Sequence, residues 1–194
     1  MLRERQGCHQ ALGIEDPLLL HDILSLLADN VSAYGCYQIE NGSQIIQCFD
    51  SWAGQIDDDI YSQFAIPYQR KVIAALKATN PNTPVIIYMA PGKYSSKGRR
   101  LSQLAESGAD IVSIDHTVDF SNARAVIPSD VGIQGNLDPK ILRDGPLDKI
   151  QRETERILSE ATGTRFIMNL GHGIEKDTPE SNAAFFVRTV QAPQ

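Results

Sequence analysis

Residues 45–54 read Ile45-Ile46-Gln47-Cys48-Phe49-Asp50-Ser51-Trp52-Ala53-Gly54, a short apolar run that ends in a polar loop. An apolar run of this length, bounded by turn-forming residues, predicts a buried β-strand. Before it, residues 17–40 repeat their apolar side chains every three or four positions, which predicts a helix. Asp16 fits the N-cap of that helix, because Pro17 suits the first helical position. The chain therefore begins its ordered part with a helix that leads into a strand with a polar end.

This unit of helix and strand recurs along the chain. Helical periodicity precedes each of four further apolar runs, and a last helical segment extends from Thr178 to Val190. Continuously apolar strands that alternate with helices are typical of a parallel sheet covered by helices, so the predicted class is α/β. The predicted helices are residues 59–79, 99–107, 121–126 and 146–161, and the predicted strands are residues 85–89, 110–114, 131–135 and 166–170.

Two architectures contain such a sheet: an open doubly wound sheet and part of a (β/α)8 barrel. The glycine-rich phosphate turn of a dinucleotide-binding open sheet is missing after Phe49. Four of the five strands end instead in polar or glycine-rich segments, at residues 50–51, 115–117, 134–136 and 169–173. The carboxyl ends of the strands in a parallel barrel share one rim, where active sites form. We therefore predict a partial (β/α)8 TIM barrel of about five parallel strands with covering helices.

Composition and charge argue against several classes of protein. Of the 194 residues, 42% are hydrophobic and 22% are charged, so we expect one globular domain. The formal net charge is −6, and no basic stripe alternates with aromatic residues, so nucleic acid is not an expected partner. No apolar run approaches the ~20 residues that span a bilayer, so no membrane partner is expected either.

The cysteines and the N-terminus bear on the compartment. Cys8, Cys36 and Cys48 form no CxxC pair, and we expect them to be buried thiols in a reducing environment. Residues 1–16 lack the apolar run of a secretory signal, so a cytoplasmic or plastid protein is expected. We divide the chain into an atypical N-terminal segment, residues 1–16, a barrel part, residues 17–191, and a tail, residues 192–194.

Five motifs lie at the predicted strand ends and helix starts. They are Phe49-Asp50-Ser51-Trp52-Ala53-Gly54, Phe64-Ala65-Ile66-Pro67-Tyr68, Asp115-His116-Thr117-Val118-Asp119, Gln134-Gly135-Asn136-Leu137-Asp138-Pro139 and Asn169-Leu170-Gly171-His172-Gly173. In this order and spacing they resemble the C-terminal half of the uroporphyrinogen decarboxylase family, over residues 17–190. One motif alone is weak evidence, whereas the ordered series is highly specific.

The resemblance implies a carboxy-lyase of porphyrin, haem and chlorophyll biosynthesis. Such an enzyme removes the carboxyl groups of the four acetate side chains of uroporphyrinogen, giving coproporphyrinogen, and uses neither a metal nor an organic cofactor. The protonated pyrrole ring would act as the electron sink, so the protein would bind and orient the substrate and stabilise its charge. The expected substrate is therefore a tetrapyrrole.

Site residues follow from the motifs of the family. The resemblance implies that His172 is the catalytic, proton-handling group, that Ser51 donates to a substrate carboxylate, and that Phe49 and Tyr88 pack against the macrocycle. Asp115 and Asn136 are expected to hold rim loops through hydrogen bonds from side chain to backbone. His116 departs from the family, which usually has tryptophan there.

The loop of residues 91–100 carries four cations, Lys93, Lys97, Arg99 and Arg100, in an acidic protein. Because it follows a predicted strand, we place it on the active rim. Our hypothesis is that its positive charge helps to draw in a polyanionic substrate; the alternative is a solvated surface loop.

A complete barrel has eight strands, and the family's substrate-clamping arginines and its aspartate belong to motifs of the N-terminal half that do not occur here. We therefore expect a fragment with weak or no activity alone, and association as a homodimer or with another barrel half. One alternative is a non-catalytic interaction module or pseudo-enzyme. Another is a relative of the corrinoid methyltransferases, but the corresponding strand end, Tyr88-Met89-Ala90, lacks the ligands for zinc.

Overall fold

The computed structural model describes residues 15–95 and 98–192. Most of the predicted N-terminal segment, including Cys8, lies outside the described residues, as do Lys97 and most of the predicted tail. Cys36 and Cys48 are half-buried free thiols.

Five strands and eight helices alternate along the described residues. The strands are β1 (Ile46–Phe49), β2 (Val85–Tyr88), β3 (Ile111–Ser113), β4 (Gly132–Leu137) and β5 (Phe166–Leu170). The helices are α1 (Pro17–Glu40), α2 (Asp58–Phe64), α3 (Ile66–Thr79), α4 (Gly98–Ala105), α5 (Phe120–Val126), α6 (Pro139–Asp144), α7 (Leu147–Glu160) and α8 (Glu180–Gln191), and a 3-10 turn covers Ala53–Gln55.

The predicted strands are all confirmed, and the first helix begins and ends where the periodicity placed it. The Asp16 carboxylate caps α1 by accepting a hydrogen bond of 3.0 Å from the Leu19 amide. The prediction of one helix over residues 59–79 is wrong, because α2 and α3 are separated at Ala65. Pro67, in the first turn of α3, has no amide hydrogen and clashes with a preceding helical turn, so an uninterrupted helix cannot pass through it. The short helix α6 was not predicted.

All five strands are parallel and follow one another in the order β1-β2-β3-β4-β5. The order contains no reversal of the kind that defines a doubly wound sheet, which confirms the prediction of a partial TIM barrel. The sheet is curled. The evidence is a hydrogen bond of 3.2 Å that the Gln134 side chain on β4 donates to the Gln47 side chain on β1. Three strand spacings would separate these strands by ~14 Å in a flat sheet.

The two faces of the sheet differ in chemistry. The convex face packs against the helices and supplies the core, with Val85, Ile87, Val112 and Ile133 all nearly inaccessible. The concave face carries polar side chains, and Gln134 also donates to Ser113 at 3.0 Å. The carboxyl ends of the strands border this concave face.

Helix α1 packs against α3 but leaves much of its apolar surface in solvent. Its exposed apolar side chains are Leu18, Leu19, Ile23, Leu26, Leu27, Val31, Tyr34 and Tyr37, which we call the α1 apolar face. A groove of about 300 Å³ lies between α1, β1 and α3 and is lined almost wholly by apolar groups. Among residues 15–95 and 98–192, no helix has both the length and the apolar content to cross a membrane.

Candidate active site

Two aromatic rings lie side by side where β1 and β2 end. Phe49 and Tyr88 occupy paired positions in the register, and their ring centroids are 5.7 Å apart in an edge-to-face arrangement. Phe49 is 68% exposed, whereas Tyr88 is only 6% exposed. At the ends of β1 and β2 the rim therefore presents the open ring of Phe49, with the buried Tyr88 beside it.

The hydroxyl of Tyr88 reaches across the concave face to the loop that follows β5. It donates to the carbonyl oxygen of Gly171 at 3.4 Å. Burial raises the pKa of Tyr88 to about 12, with the negative charge of Asp115 acting in the same direction. The phenol is therefore neutral at ordinary pH and keeps the hydrogen that it donates.

Gly171 packs closely against the backbone of the loop that follows β3. A Cβ atom at this position would lie 2.2 Å from the backbone nitrogen of His116, so only glycine fits there. The Gly171 amide donates to the Leu137 carbonyl at 2.8 Å. His172 follows directly, and its side chain is exposed. The backbone before His172 is thus fixed, while its imidazole is open to a ligand.

Ser51 and Trp52 begin the loop after β1, and both side chains are exposed. Gly54 in this loop packs against the loop after β2, since a Cβ there would lie 2.6 Å from the Ala90 carbonyl oxygen. The Gly54 carbonyl also accepts a hydrogen bond from the Tyr94 amide at 3.0 Å. Ser51 is therefore an exposed hydroxyl on a loop that is held tightly at its far end.

A buried polar chain supports the start of this loop. The Asp50 carboxylate accepts from the Gln69 amide at 2.6 Å, and Gln69 in turn accepts from the Tyr61 hydroxyl at 2.8 Å. Burial raises the pKa of Asp50, although the Gln69 hydrogen bond and the charge of Arg100 act against the shift.

Arg100 does not have the role expected from the sequence. Its side chain is inaccessible, so the hypothesis that it attracts substrate from the rim is wrong for this residue. Its guanidinium donates to the Asp58 carboxylate at 3.0 Å and to the carbonyls of Ala53 and Ile56 at 2.6 and 3.0 Å. Arg100 therefore ties the loop after β1 to helix α4.

The other cations of that loop differ from Arg100. Arg99 is exposed and lies 3.4 Å from the Asp59 carboxylate. Lys93 is exposed beside the Tyr94 ring, and Lys97 lies outside the described residues. Of these cations, Lys93 remains a candidate for attracting a polyanion.

The expected structural role of Asp115 and Asn136 is confirmed. The Asp115 carboxylate accepts from the Thr117 amide at 2.7 Å and from its hydroxyl at 2.5 Å. The Asn136 side-chain amide donates to the carbonyls of Asp115 and Val118 at 3.0 and 2.7 Å. Together they tie the loop after β3 to the end of β4.

The structure therefore brings Phe49, Tyr88 and the loop of His172 together, and places Ser51 on the same rim. The residues that sequence reasoning missed are Trp52, the exposed aromatic group next to Ser51, and Arg100 as a buried clamp. Trp52 lies within a recognised motif, so its position could have indicated it, whereas the burial of Arg100 left no signal in the sequence. Within the described residues no group of three or more His, Cys, Asp or Glu side chains is arranged to hold a metal.

The sequence of this chain is similar to those of one known family. The family model described as uroporphyrinogen decarboxylase (URO-D) matches residues 10–193. Similar curated proteins named uroporphyrinogen decarboxylase include those of Prochlorococcus marinus strain MIT 9211, 45% identical over 177 residues, and Synechococcus sp. strain CC9902, 43% identical over 180 residues. That of Nostoc sp. strain PCC 7120 is 41% identical over 187 residues. The matches cover 91–93% of this chain, but the chain spans only about half the length of these relatives, 49–50%.

Proposed function

The chain belongs to the uroporphyrinogen decarboxylase family, and from that membership we propose that it acts in the conversion of uroporphyrinogen to coproporphyrinogen. Its part would be the C-terminal rim of the active site. The observation that supports this proposal most directly is the contact of Tyr88 with Gly171, which joins the aromatic end of β1 and β2 to the loop of His172.

The reaction proposed is the same at each of the four acetate groups. A ring carbon of the pyrrole is protonated, the bond between the methylene carbon and the carboxylate breaks, and CO2 leaves while its bonding electrons pass to the ring. The methylene carbon then takes up a proton, and the ring carbon loses the one it gained. One proton is consumed and one CO2 is released per acetate, so the protein needs to supply only orientation, charge and a proton.

Each rim residue has a proposed part in this chemistry. The exposed imidazole of His172 handles the proton or pairs with a substrate carboxylate. The exposed hydroxyl of Ser51 donates to another carboxylate, and the exposed ring of Phe49 packs against the macrocycle. We add Trp52 to this set, because its indole is 59% exposed directly beside Ser51.

We further propose that another barrel half covers the open edge of β1 and the α1 apolar face. Large exposed apolar surfaces mark interaction sites, and an open strand edge offers unpaired backbone groups. The relatives are about twice as long as this chain, so they contain residues that could supply such a half. Decarboxylation at enzymatic rates is expected only with that half present.

A complementation experiment tests the proposed function. The 194-residue chain would be assayed alone and co-expressed with the N-terminal half of the Prochlorococcus relative, with coproporphyrin measured after anaerobic incubation with uroporphyrinogen. We expect coproporphyrin from the complex, and about a hundredfold less from a complex carrying His172→Asn. A folded complex without any turnover would favour the non-catalytic interaction module instead.

Binding can be measured separately from turnover. The chain contains one tryptophan, Trp52, so its fluorescence reports on the rim alone. Coproporphyrin III absorbs where tryptophan emits, and its binding should therefore quench the signal. Ser51→Ala should weaken that quenching, whereas Ser159→Ala, at the far end of α7, should not.

A further inference from the structure

The backbone around His172 depends on contacts with other residues for its rigidity. Gly171 and Gly173 flank it, and glycine has more conformational freedom than any other residue. On the C-terminal side, a Cβ built on Gly173 would meet no atom within 4 Å. Of the two flanking glycines, Gly171 is the one with close contacts that restrain this backbone.

Three contacts act on Gly171. The Gly171 amide donates to Leu137 at 2.8 Å, and the Gly171 Cα packs against the backbone of His116. The third contact is the Tyr88 hydroxyl, which lies 3.4 Å from the Gly171 carbonyl oxygen. This carbonyl belongs to the same planar peptide unit as the His172 nitrogen. Holding the carbonyl therefore restrains the His172 nitrogen and Cα atom, which lie in the same plane.

Tyr88 is suited to this task. Its side chain is almost fully buried and its ring packs edge-to-face on Phe49, so packing restrains the position of the hydroxyl. Its pKa is raised to about 12 by burial and by the charge of Asp115, so the phenol stays a donor. The distance of 3.4 Å is long for a bond whose usual length is about 2.7–2.8 Å, which leaves room for it to shorten when a ligand settles on the rim.

We propose that Tyr88 is a positioning residue, whose hydroxyl orients His172 through the Gly171 carbonyl. This role differs from the packing role expected of the Tyr88 ring, and it rests on the proposed function of the rim as a tetrapyrrole site. The ring and the hydroxyl can be separated, because Tyr88→Phe removes one oxygen atom and keeps the aromatic surface.

Histidine NMR on the ligand-free chain provides the first test. The signals of the His172 ring would be assigned with His172→Asn and compared in the wild type and in Tyr88→Phe at the same pH. We expect the His172 signals to move in Tyr88→Phe. The carbon shift of the Gly171 carbonyl, measured in the same samples, should change as its hydrogen bond is lost.

The matched control is Tyr68→Phe. The Tyr68 hydroxyl lies 2.7 Å from the His21 ring nitrogen. Removing it should move the His21 signals and leave those of His172 in place. A general loosening of the fold would instead disturb both histidines in both variants.

Binding of coproporphyrin III, followed through Trp52, completes the test. Tyr88→Phe should bind roughly threefold to tenfold more weakly than wild type, as expected for the loss of one hydrogen bond that orders the site. His172 signals that superimpose in wild type and Tyr88→Phe would overturn the positioning role. If neither protein binds the porphyrin, the proposed function fails, while the NMR comparison still decides whether Tyr88 orients His172.

Discussion

The hydroxyl of Tyr88, on the second strand, lies 3.4 Å from the carbonyl oxygen of Gly171, just after the fifth. These residues are 83 positions apart in the chain. Their contact is possible because the sheet curls, and a flat sheet would hold the two strands ~14 Å apart. The curvature of the sheet therefore brings the strand ends together into one rim. Maintaining this rim depends on the packing and polar contacts of a few side chains.

Replacing Arg100 with methionine should destabilise the protein strongly. The buried guanidinium donates hydrogen bonds to the Asp58 carboxylate and to two backbone carbonyls. In the variant these acceptors would lose their donor. Removing one partner of a buried ion pair costs about 3–5 kcal/mol of unfolding free energy. Chemical denaturation would measure the loss.

The neighbouring Arg99→Met is the matched control for that variant. Arg99 and Asp59 form an exposed pair, so their separation should cost less than about 1 kcal/mol. Equal losses in the two variants would contradict the clamp role of Arg100.

Two glycines of one motif should respond differently to alanine. In Gly171→Ala the new methyl group would collide with the His116 backbone, and such overpacking costs about 1–3 kcal/mol or more. Gly173→Ala has open space around it and should stay within about 0.5 kcal/mol of wild type. Thermal and chemical denaturation of both variants would measure the difference; indistinguishable melting curves would contradict the close packing of Gly171.

Asp50→Asn should change how stability depends on pH. Burial raises the pKa of Asp50, so between its unfolded value, near ~3.9, and its folded value the native state binds more protons than the unfolded state. The contribution of Asp50 to the stability of the wild type must then fall as pH rises through this interval. The asparagine side chain of the variant carries no charge at any pH and still offers an oxygen to Gln69.

Unfolding free energies at about pH 4 and pH 7 test this prediction. The stability of Asp50→Asn relative to wild type should be greater at the higher pH than at the lower. A constant difference between the two proteins at both values would mean that burial of the Asp50 carboxyl does not affect folding.

The α1 apolar face should govern association. Leu26 and Tyr34 are 64% and 65% exposed, and replacing both with lysine removes apolar surface that another chain would cover. Sedimentation velocity should show less self-association and weaker complex formation with the complementary half. Leu147→Lys, which changes a 47% exposed leucine on α7, is the control. Unchanged sedimentation of the double variant would exclude this face as the contact surface.

The elements of the fold were predictable because their signals are local. Apolar runs indicated the five strands, and Asp16 with Pro17 indicated the start of α1. The failures also have local causes that were overlooked. Pro67 divides residues 59–79 into two helices, and the Asp138-Pro139 pair begins the short helix α6.

The site was predictable only in part. The motifs drew attention to Phe49, Ser51 and His172, and Tyr88 was indicated by its position at a strand end. The strand ends predicted that all four lie on one rim. The sequence could not show that the Tyr88 hydroxyl forms a hydrogen bond with the Gly171 carbonyl. It also could not show that, of the cations in its loop, Arg100 is a buried one. Both facts depend on residues that are distant in sequence.

What the sequence by itself determined is the succession of helices and strands, the parallel sheet and the family, because periodicity, capping residues and motifs act over a few neighbouring positions. Only the tertiary structure decided which side chains are free for a ligand and which are already engaged. Exposure and hydrogen bonding arise when separate strands curl toward one another, and two adjacent arginines of equal charge then become a buried clamp and a solvated surface group.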